Sequence, residues 1–159
     1  MSSRRRAREF CLQMLYQWDL RGCRPAEVLS NFWVDVTFAN EEKAYSEQLF
    51  LGSTREVRTL DLTIERFSHK WRIERMPPID RNVLRMGAFE LFHIPDVPVS
   101  VTLNECIELG KRYSTTESGA FINGILDRIA HNLPPAVLKQ KEASSNLLDS
   151  GVFLDDEEE

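Results

Sequence analysis

Apolar residues recur at intervals of three and four along most of the chain, which is the spacing of a helix with one buried face. The clearest case is residues 4–20, where six apolar positions form one stripe: Ala7, Phe10, Cys11, Met14, Leu15 and Trp18. No stretch alternates between apolar and polar residues with hairpin turn signals, as a half-buried strand would. The pattern therefore predicts an all-α protein.

Proline, glycine and asparagine residues divide the remaining chain into further helices. We expect them to cover roughly 25–36, 41–69, 79–92, 100–112 and 118–131. Asn40 is a suitable N-cap for the segment that follows it. That segment contains Gly52, so it is either one helix bent near Gly52 or two shorter helices. The total is six or seven helices in one domain.

Length and composition fit a single domain of this kind. The chain has 159 residues, of which 42% are apolar, and this is enough to form a core. No apolar run approaches the roughly 20 residues that a membrane-spanning helix needs, so no membrane association is expected. Cys11, Cys23 and Cys106 are scattered and form no CxxC motif. They predict neither a disulfide framework nor a zinc site, and they fit a reducing cytoplasm.

Charge is distributed unevenly along the chain. The total is −5, but residues 141–159 hold seven acidic residues against Lys141, so residues 1–140 carry a net charge of +1. Residues 1–24 hold six arginines against Glu9 and Asp19. We expect residues 1–140 to fold and the Ser-rich, acidic segment 141–159 to be a disordered tail. A basic amino end indicates an anionic partner without identifying it.

The solvent face of the first helix combines an aromatic ring with guanidinium groups. At about 100° per residue, Tyr16 points away from the apolar stripe, and Arg5, Arg8 and Leu12 share its side, flanked by two more arginines: Arg4 and Arg6. Arginines bind phosphates and a tyrosine stacks an unpaired base, so this face suits single-stranded RNA. A solvated basic arm with an incidental exposed tyrosine is the alternative.

Signals for catalysis are absent from the sequence. His69, His93 and His131 are far apart and have no partner at metal-ligand spacing. The chain contains no GxGxxG, P-loop or GxSxG motif. We therefore expect a protein that is not an enzyme and that needs no metal or cofactor.

Three stretches, in their order and spacing, resemble the NusB family of transcription antitermination factors. The first is RRRARE at 4–9 followed by LYQW at 15–18. The second is IDRNVLRMGAFEL at 79–91, and the third is VSVTLNECIELGK at 99–111 followed by FINGILD at 121–127. The resemblance implies an all-helical bundle of two small packed subdomains. It also implies a factor that binds boxA RNA together with ribosomal protein NusE, and thereby acts indirectly on the RNA polymerase antitermination complex at ribosomal RNA operons.

The resemblance also implies roles for individual residues. The family's RNA-contacting positions fall on seven residues of this chain: Arg4, Arg5, Arg6, Arg8, Tyr16, Glu117 and Phe121. Its NusE-facing acid falls on Asp80, with Arg81 and Arg85 nearby. A core position is the alternative for Phe121, and a charge that stabilises the start of a helix is the alternative for Asp80. Gly119 and Ala120 stand where family members carry basic or polar residues, which removes a possible phosphate contact.

Two other functions are compatible with these residues. One is a NusB-like RNA-binding domain of the kind fused to RNA cytosine methyltransferases, although this chain ends before such a catalytic domain would begin. The other is a helical scaffold that binds only proteins and whose basic end is incidental.

Overall fold

The computed structural model describes residues 2–69 and 71–150, with side chains to residue 147. These residues contain no strand, and they form eight α-helices and two short 3-10 helices, at Trp33–Asp35 and Ile73–Arg75. The α-helices are α1 (Ser3–Arg21), α2 (Pro25–Phe32), α3 (Asn40–Arg55), α4 (Val57–Arg66), α5 (Pro78–His93), α6 (Val99–Tyr113), α7 (Thr116–Ala130) and α8 (Pro135–Ser150). The prediction of an all-α fold is confirmed, with one or two more helices than expected.

Helix α5 is the centre of the bundle. It is buried continuously from Asn82 to Leu91, because five helices pack around it: α1, α3, α4, α6 and α7. Gly87 allows α6 and α7 to pack closely against α5, because a Cβ there would lie 2.8 Å from a methyl of Leu126 and 2.9 Å from the sulfur of Cys106. The core therefore joins an amino-terminal and a carboxy-terminal group of helices through one shared helix.

The predicted segment 41–69 is two helices, but the break is not at Gly52. Helix α3 ends at Arg55, and the backbone N–H of Glu56 donates to the Gly52 carbonyl at 3.0 Å. Gly52 is buried inside α3, where a Cβ would overlap the ring of Phe89. Its role is close packing against α5. Asn40 is likewise the first helical residue and not the N-cap, which is Ala39.

Helix α8 differs from the predicted acidic tail. The helix continues to Ser150, so the expectation of disorder from residue 141 does not hold for residues 141–150. Lys141 is buried, and its ammonium donates to the carbonyls of Ile94 at 3.0 Å and Val97 at 2.6 Å in the connection between α5 and α6. Burial lowers the pKa of Lys141. Residues 151–159 of the predicted tail lie outside the described residues.

Candidate nucleic-acid interface

Tyr16 lies on the solvent face of α1, as the helical spacing predicts. Its side chain is 38% exposed and borders a groove of about 240 Å³. The floor and walls of this groove come from α1, α5 and α6: Glu9, Leu12, Gln13, Tyr16, Gln17, Ile79 and Tyr113. Tyr113 is also an exposed aromatic residue, so two tyrosine rings border one groove. The two glutamine amides add hydrogen-bond donors and acceptors beside them.

Arg8 and Leu12 do not share this exposed face. Arg8 is only 3% exposed and Leu12 only 2%, so the prediction that both lie beside Tyr16 in solvent is wrong. The reason is that α1 is covered on more than its apolar stripe, because it packs against α2, α3 and α5 together. Arg8 is therefore no longer a candidate for direct contact with RNA.

Instead, Arg8 belongs to a buried polar network around Glu90, a residue that the sequence analysis did not single out. Arg8 Nε donates to Glu90 Oε2 at 2.9 Å, and Thr102 Oγ1 donates to Glu90 Oε1 at 2.7 Å. The Tyr45 hydroxyl donates to the same carboxylate. Burial alone would lower the pKa of Arg8, but the charge and hydrogen bond of Glu90 outweigh it and raise the pKa. The network ties α1, α3, α5 and α6 together.

The other amino-terminal arginines remain at the surface, where they have partners within the chain. Arg4 pairs with Asp96 at 3.1 Å, and Arg5 pairs with Glu105 at 2.8 Å. Arg6 donates to the carbonyl of Thr37. The hydrogen bond from Arg5 lowers the pKa of Glu105, which is therefore a carboxylate at neutral pH. Exposed pairs of this kind contribute little stability, so a phosphate can displace the carboxylate.

Asp80, Arg81 and Arg85 are placed differently from the partner surface predicted for them. Asp80 is 3% exposed and accepts from the hydroxyl of Ser118 at 2.9 Å, which fixes α5 to α7. Arg81 pairs with Asp19 at 2.6 Å. Arg85 is buried and pairs with Asp19 at 3.1 Å and with another acid, Asp61, at 2.8 Å.

These pairs hold α5 against α1 and α4. Burial opposes the ionisation of Asp19, but hydrogen bonds from Arg81 and Asn82 outweigh it and lower the pKa. The polar groups of Asp80, Arg81 and Arg85 are thus engaged inside the fold. These three residues stabilise the bundle and offer a partner little free surface. Their charge in the sequence favoured a surface role, whereas the packing around α5 gives them an internal one.

The start of α7 brings together the two predicted residues Glu117 and Phe121. Thr115 caps the helix, since its hydroxyl accepts from the backbone N–H of Ser118 at 3.1 Å. Glu117 is exposed and is not the cap. Phe121 is half-buried, and its ring lies 5.9 Å from that of Trp71. These residues line a cleft of about 420 Å³.

Within residues 2–69 and 71–150 there is no cluster of three or more potential metal-ligating side chains. The same residues contain no helix that is both long enough and apolar enough to cross a membrane.

The structure therefore defines a class: an all-helical bundle whose first helix carries an exposed tyrosine and several surface arginines. A model of the NusB family matches residues 5–131, and the chain belongs to the NusB family. Two relatives, both called transcription antitermination protein NusB, come from Sorangium cellulosum and Anaeromyxobacter dehalogenans. The first is 44% identical and the alignment covers 84% of this chain and 95% of the relative; the second is 48% identical, covering 86% and 96%.

Solved structures agree with the family assignment. NusB from T. maritima superposes with a TM-score of 0.79 at 35% identity, covering 87% of this chain and 99% of that one. A chain from the crystal structure of antitermination factors NusB and NusE in complex with dsRNA gives a TM-score of 0.74 at 28% identity, covering 83% and 98%. The relatives are named for antitermination and not for a catalytic activity, in agreement with the prediction of a protein that is not an enzyme.

Proposed function

We propose that this chain is an antitermination factor that binds boxA-type single-stranded RNA together with ribosomal protein NusE. In this role it supports transcription of ribosomal RNA operons through the RNA polymerase antitermination complex in the cytoplasm. Membership of the NusB family supports the proposal. So does the similarity to a structure whose components are NusB, NusE and dsRNA.

The observation that carries the proposal is the exposed ring of Tyr16 on the same helix as the surface arginines, roughly 16 Å along α1 from Arg5. An unpaired base stacks on the ring, and phosphates farther along the same strand bind Arg5 and its neighbours Arg4 and Arg6. Stacking requires a base that is not already paired. Single-stranded RNA is therefore expected to bind more tightly than a duplex of the same sequence.

The test is a titration of the full chain with boxA-type RNA, with and without NusE, at two salt concentrations. We expect RNA binding that is strengthened by NusE and weakened by salt, because each neutralised phosphate releases counterions. Arg5→Ala should weaken binding, whereas Arg58→Ala, which removes the same charge from the exposed face of α4, should not. Binding of NusE with no RNA affinity in either salt would refute the proposal and support a protein-binding scaffold.

A further inference from the structure

At the start of α7, the side chain of Trp71 is more exposed to solvent than that of Phe121. Phe121 packs against the hydrophobic core on one side, and its ring faces Trp71 at 5.9 Å with an angle of 59° between the planes. Trp71 is 53% exposed, whereas the other two tryptophans, Trp18 and Trp33, are half-buried. A base that approaches this end of the molecule meets the indole first.

We propose that Trp71 is a second stacking residue for the RNA, so that the strand extends from the Tyr16 groove into the cleft between Trp71 and the start of α7. This inference rests on the proposed function. It adds Trp71 to Glu117 and Phe121, the RNA-contacting positions that the family resemblance implies near the start of α7, and Phe121 becomes the residue that positions the indole.

The indole is held in place before RNA arrives. The buried hydroxyl of Ser68 donates to the carbonyl of Trp71 at 2.9 Å, and the backbone N–H of Trp71 donates to the Ser68 carbonyl at 3.3 Å. These bonds anchor the backbone, while the ring of Phe121 packs against the indole. A side chain that is already ordered loses less conformational entropy on binding, so its stacking contributes more affinity.

The cleft has the size and polarity that a base and its phosphate need. The cleft has a volume of about 420 Å³. It is bordered by the hydroxyls of Ser114 and Thr115, the carboxylate of Glu117 and the side chain of Arg75. The hydroxyls can form hydrogen bonds with the polar edge of a base. The guanidinium of Arg75 is exposed at the rim and makes no side-chain ion pair or hydrogen bond within the described part of the chain, so it is available to a phosphate.

The cleft lies near the Tyr16 groove, which favours a polymer as the occupant. Ile79 and Tyr113 border the groove, and the residues that follow them in sequence, Asp80 and Ser114, border the cleft. The two cavities therefore lie close together, near the start of α5 and the end of α6. A single RNA strand can place one base at Tyr16 and a later base at Trp71, which a small ligand in either cavity cannot do.

The first test compares three variants in a titration with boxA-type RNA of about 12 nucleotides, within the site sizes of single-strand binders. Trp71→Ala should weaken binding roughly 5- to 100-fold, because loss of one stacked base has that effect. Trp71→Phe should restore most of the affinity. Leu62→Ala, at a 69% exposed position on α4, should change nothing. Thermal melts of each variant establish that it is folded.

The second test uses the fluorescence of Trp71 and does not depend on the stability of Trp71→Ala. RNA should quench the emission of the unmodified chain, and most of that quenching should be absent in Trp71→Phe, in which only Trp18 and Trp33 remain. Equal quenching in both proteins would overturn the inference. So would unchanged RNA affinity of folded Trp71→Ala while Tyr16→Ala still weakens binding. If the unmodified chain binds no RNA even with NusE, the proposed function itself fails.

Discussion

Arg8→Ala tests whether Arg8 contacts RNA, as the sequence predicts, or stabilises the core, as its burial indicates. In Arg8→Ala the carboxylate of Glu90, which is 1% exposed, loses the cation that neutralises it. The hydroxyls of Thr102 and Tyr45 still donate to it, but neither carries a charge. An ionised, buried carboxylate without a counterion is unfavourable in the folded state. The variant should therefore lose stability, while its exposed RNA-binding face remains unchanged.

The size of the loss follows from the burial of both partners. Removing one partner of a buried ion pair costs about 3–5 kcal/mol. Arg8 and Glu90 are 3% and 1% exposed, so solvent screens their interaction very little. For a domain of this length, each kcal/mol lowers the melting temperature by roughly 2–4 °C. The melting temperature of Arg8→Ala should thus fall by roughly 6–20 °C.

Arg5→Ala is the matched control, because the Arg5–Glu105 pair is at the surface. Circular dichroism melts should show a large decrease for Arg8→Ala and little change for Arg5→Ala. RNA titrations, at a temperature where both variants are folded, should show the reverse order of effects on affinity. In addition, Arg8→Met combined with Glu90→Gln should be more stable than Arg8→Ala, because no unpaired charge is left in the core.

One result would refute this reasoning. If Arg8→Ala melts like the unmodified chain and yet loses RNA affinity, the guanidinium is accessible to RNA and the buried network around Glu90 is not its main role.

The remaining predictions concern the RNA-binding surface. Tyr16→Ala should lower RNA affinity, with a loss of about 1–3 kcal/mol, and leave helicity intact; a large decrease in melting temperature would show that the ring supports the core. Glu105→Gln should strengthen RNA binding at low salt in a filter-binding or anisotropy titration, because it frees Arg5 from a carboxylate that is ionised at neutral pH; weaker binding would show that Glu105 positions Arg5. Glu117→Gln should strengthen binding if the carboxylate lies beside phosphates, and weaker binding by a folded variant would instead identify it as an acceptor for a base. Deleting residues 151–159, which include five acidic residues, should tighten RNA binding at low salt if they compete for the basic end, and unchanged affinity would exclude that competition.

Most of the helices were predictable because their segments carry a strong local signal, whereas α8 was not predicted. The apolar stripe of α1 and the prolines before α5 and α6 placed three helices to within one or two residues. Burial of charged residues was not predictable in the same way. Arg8 and Glu90 are 82 positions apart, and nothing in either local sequence indicates that they form a pair. Helical periodicity gives the direction of a side chain but not the number of neighbours that cover the helix.

The same limit explains the residues that the sequence analysis missed at the candidate site. Tyr16 was identified because its direction follows from one helix alone. Tyr113 and Trp71 become interesting only when α6 and the loop before α5 are brought beside α1 and α7. Lys141 was assigned to a tail because its segment is polar. Its ammonium instead binds two backbone carbonyls that only the folded connection between α5 and α6 presents.

The pairing of the surface arginines bears on how RNA affinity arises in the proposed function. Arg4 and Arg5 already neutralise Asp96 and Glu105, so a phosphate that binds them must displace a carboxylate. The net electrostatic gain per arginine is therefore smaller than for an unpaired cation, and the salt dependence is less steep than the number of arginines suggests. Stacking on Tyr16 and Trp71 involves no such exchange. The isolated chain should consequently depend on its aromatic rings for much of its RNA affinity, and a partner protein that contributes unpaired cations would strengthen binding considerably.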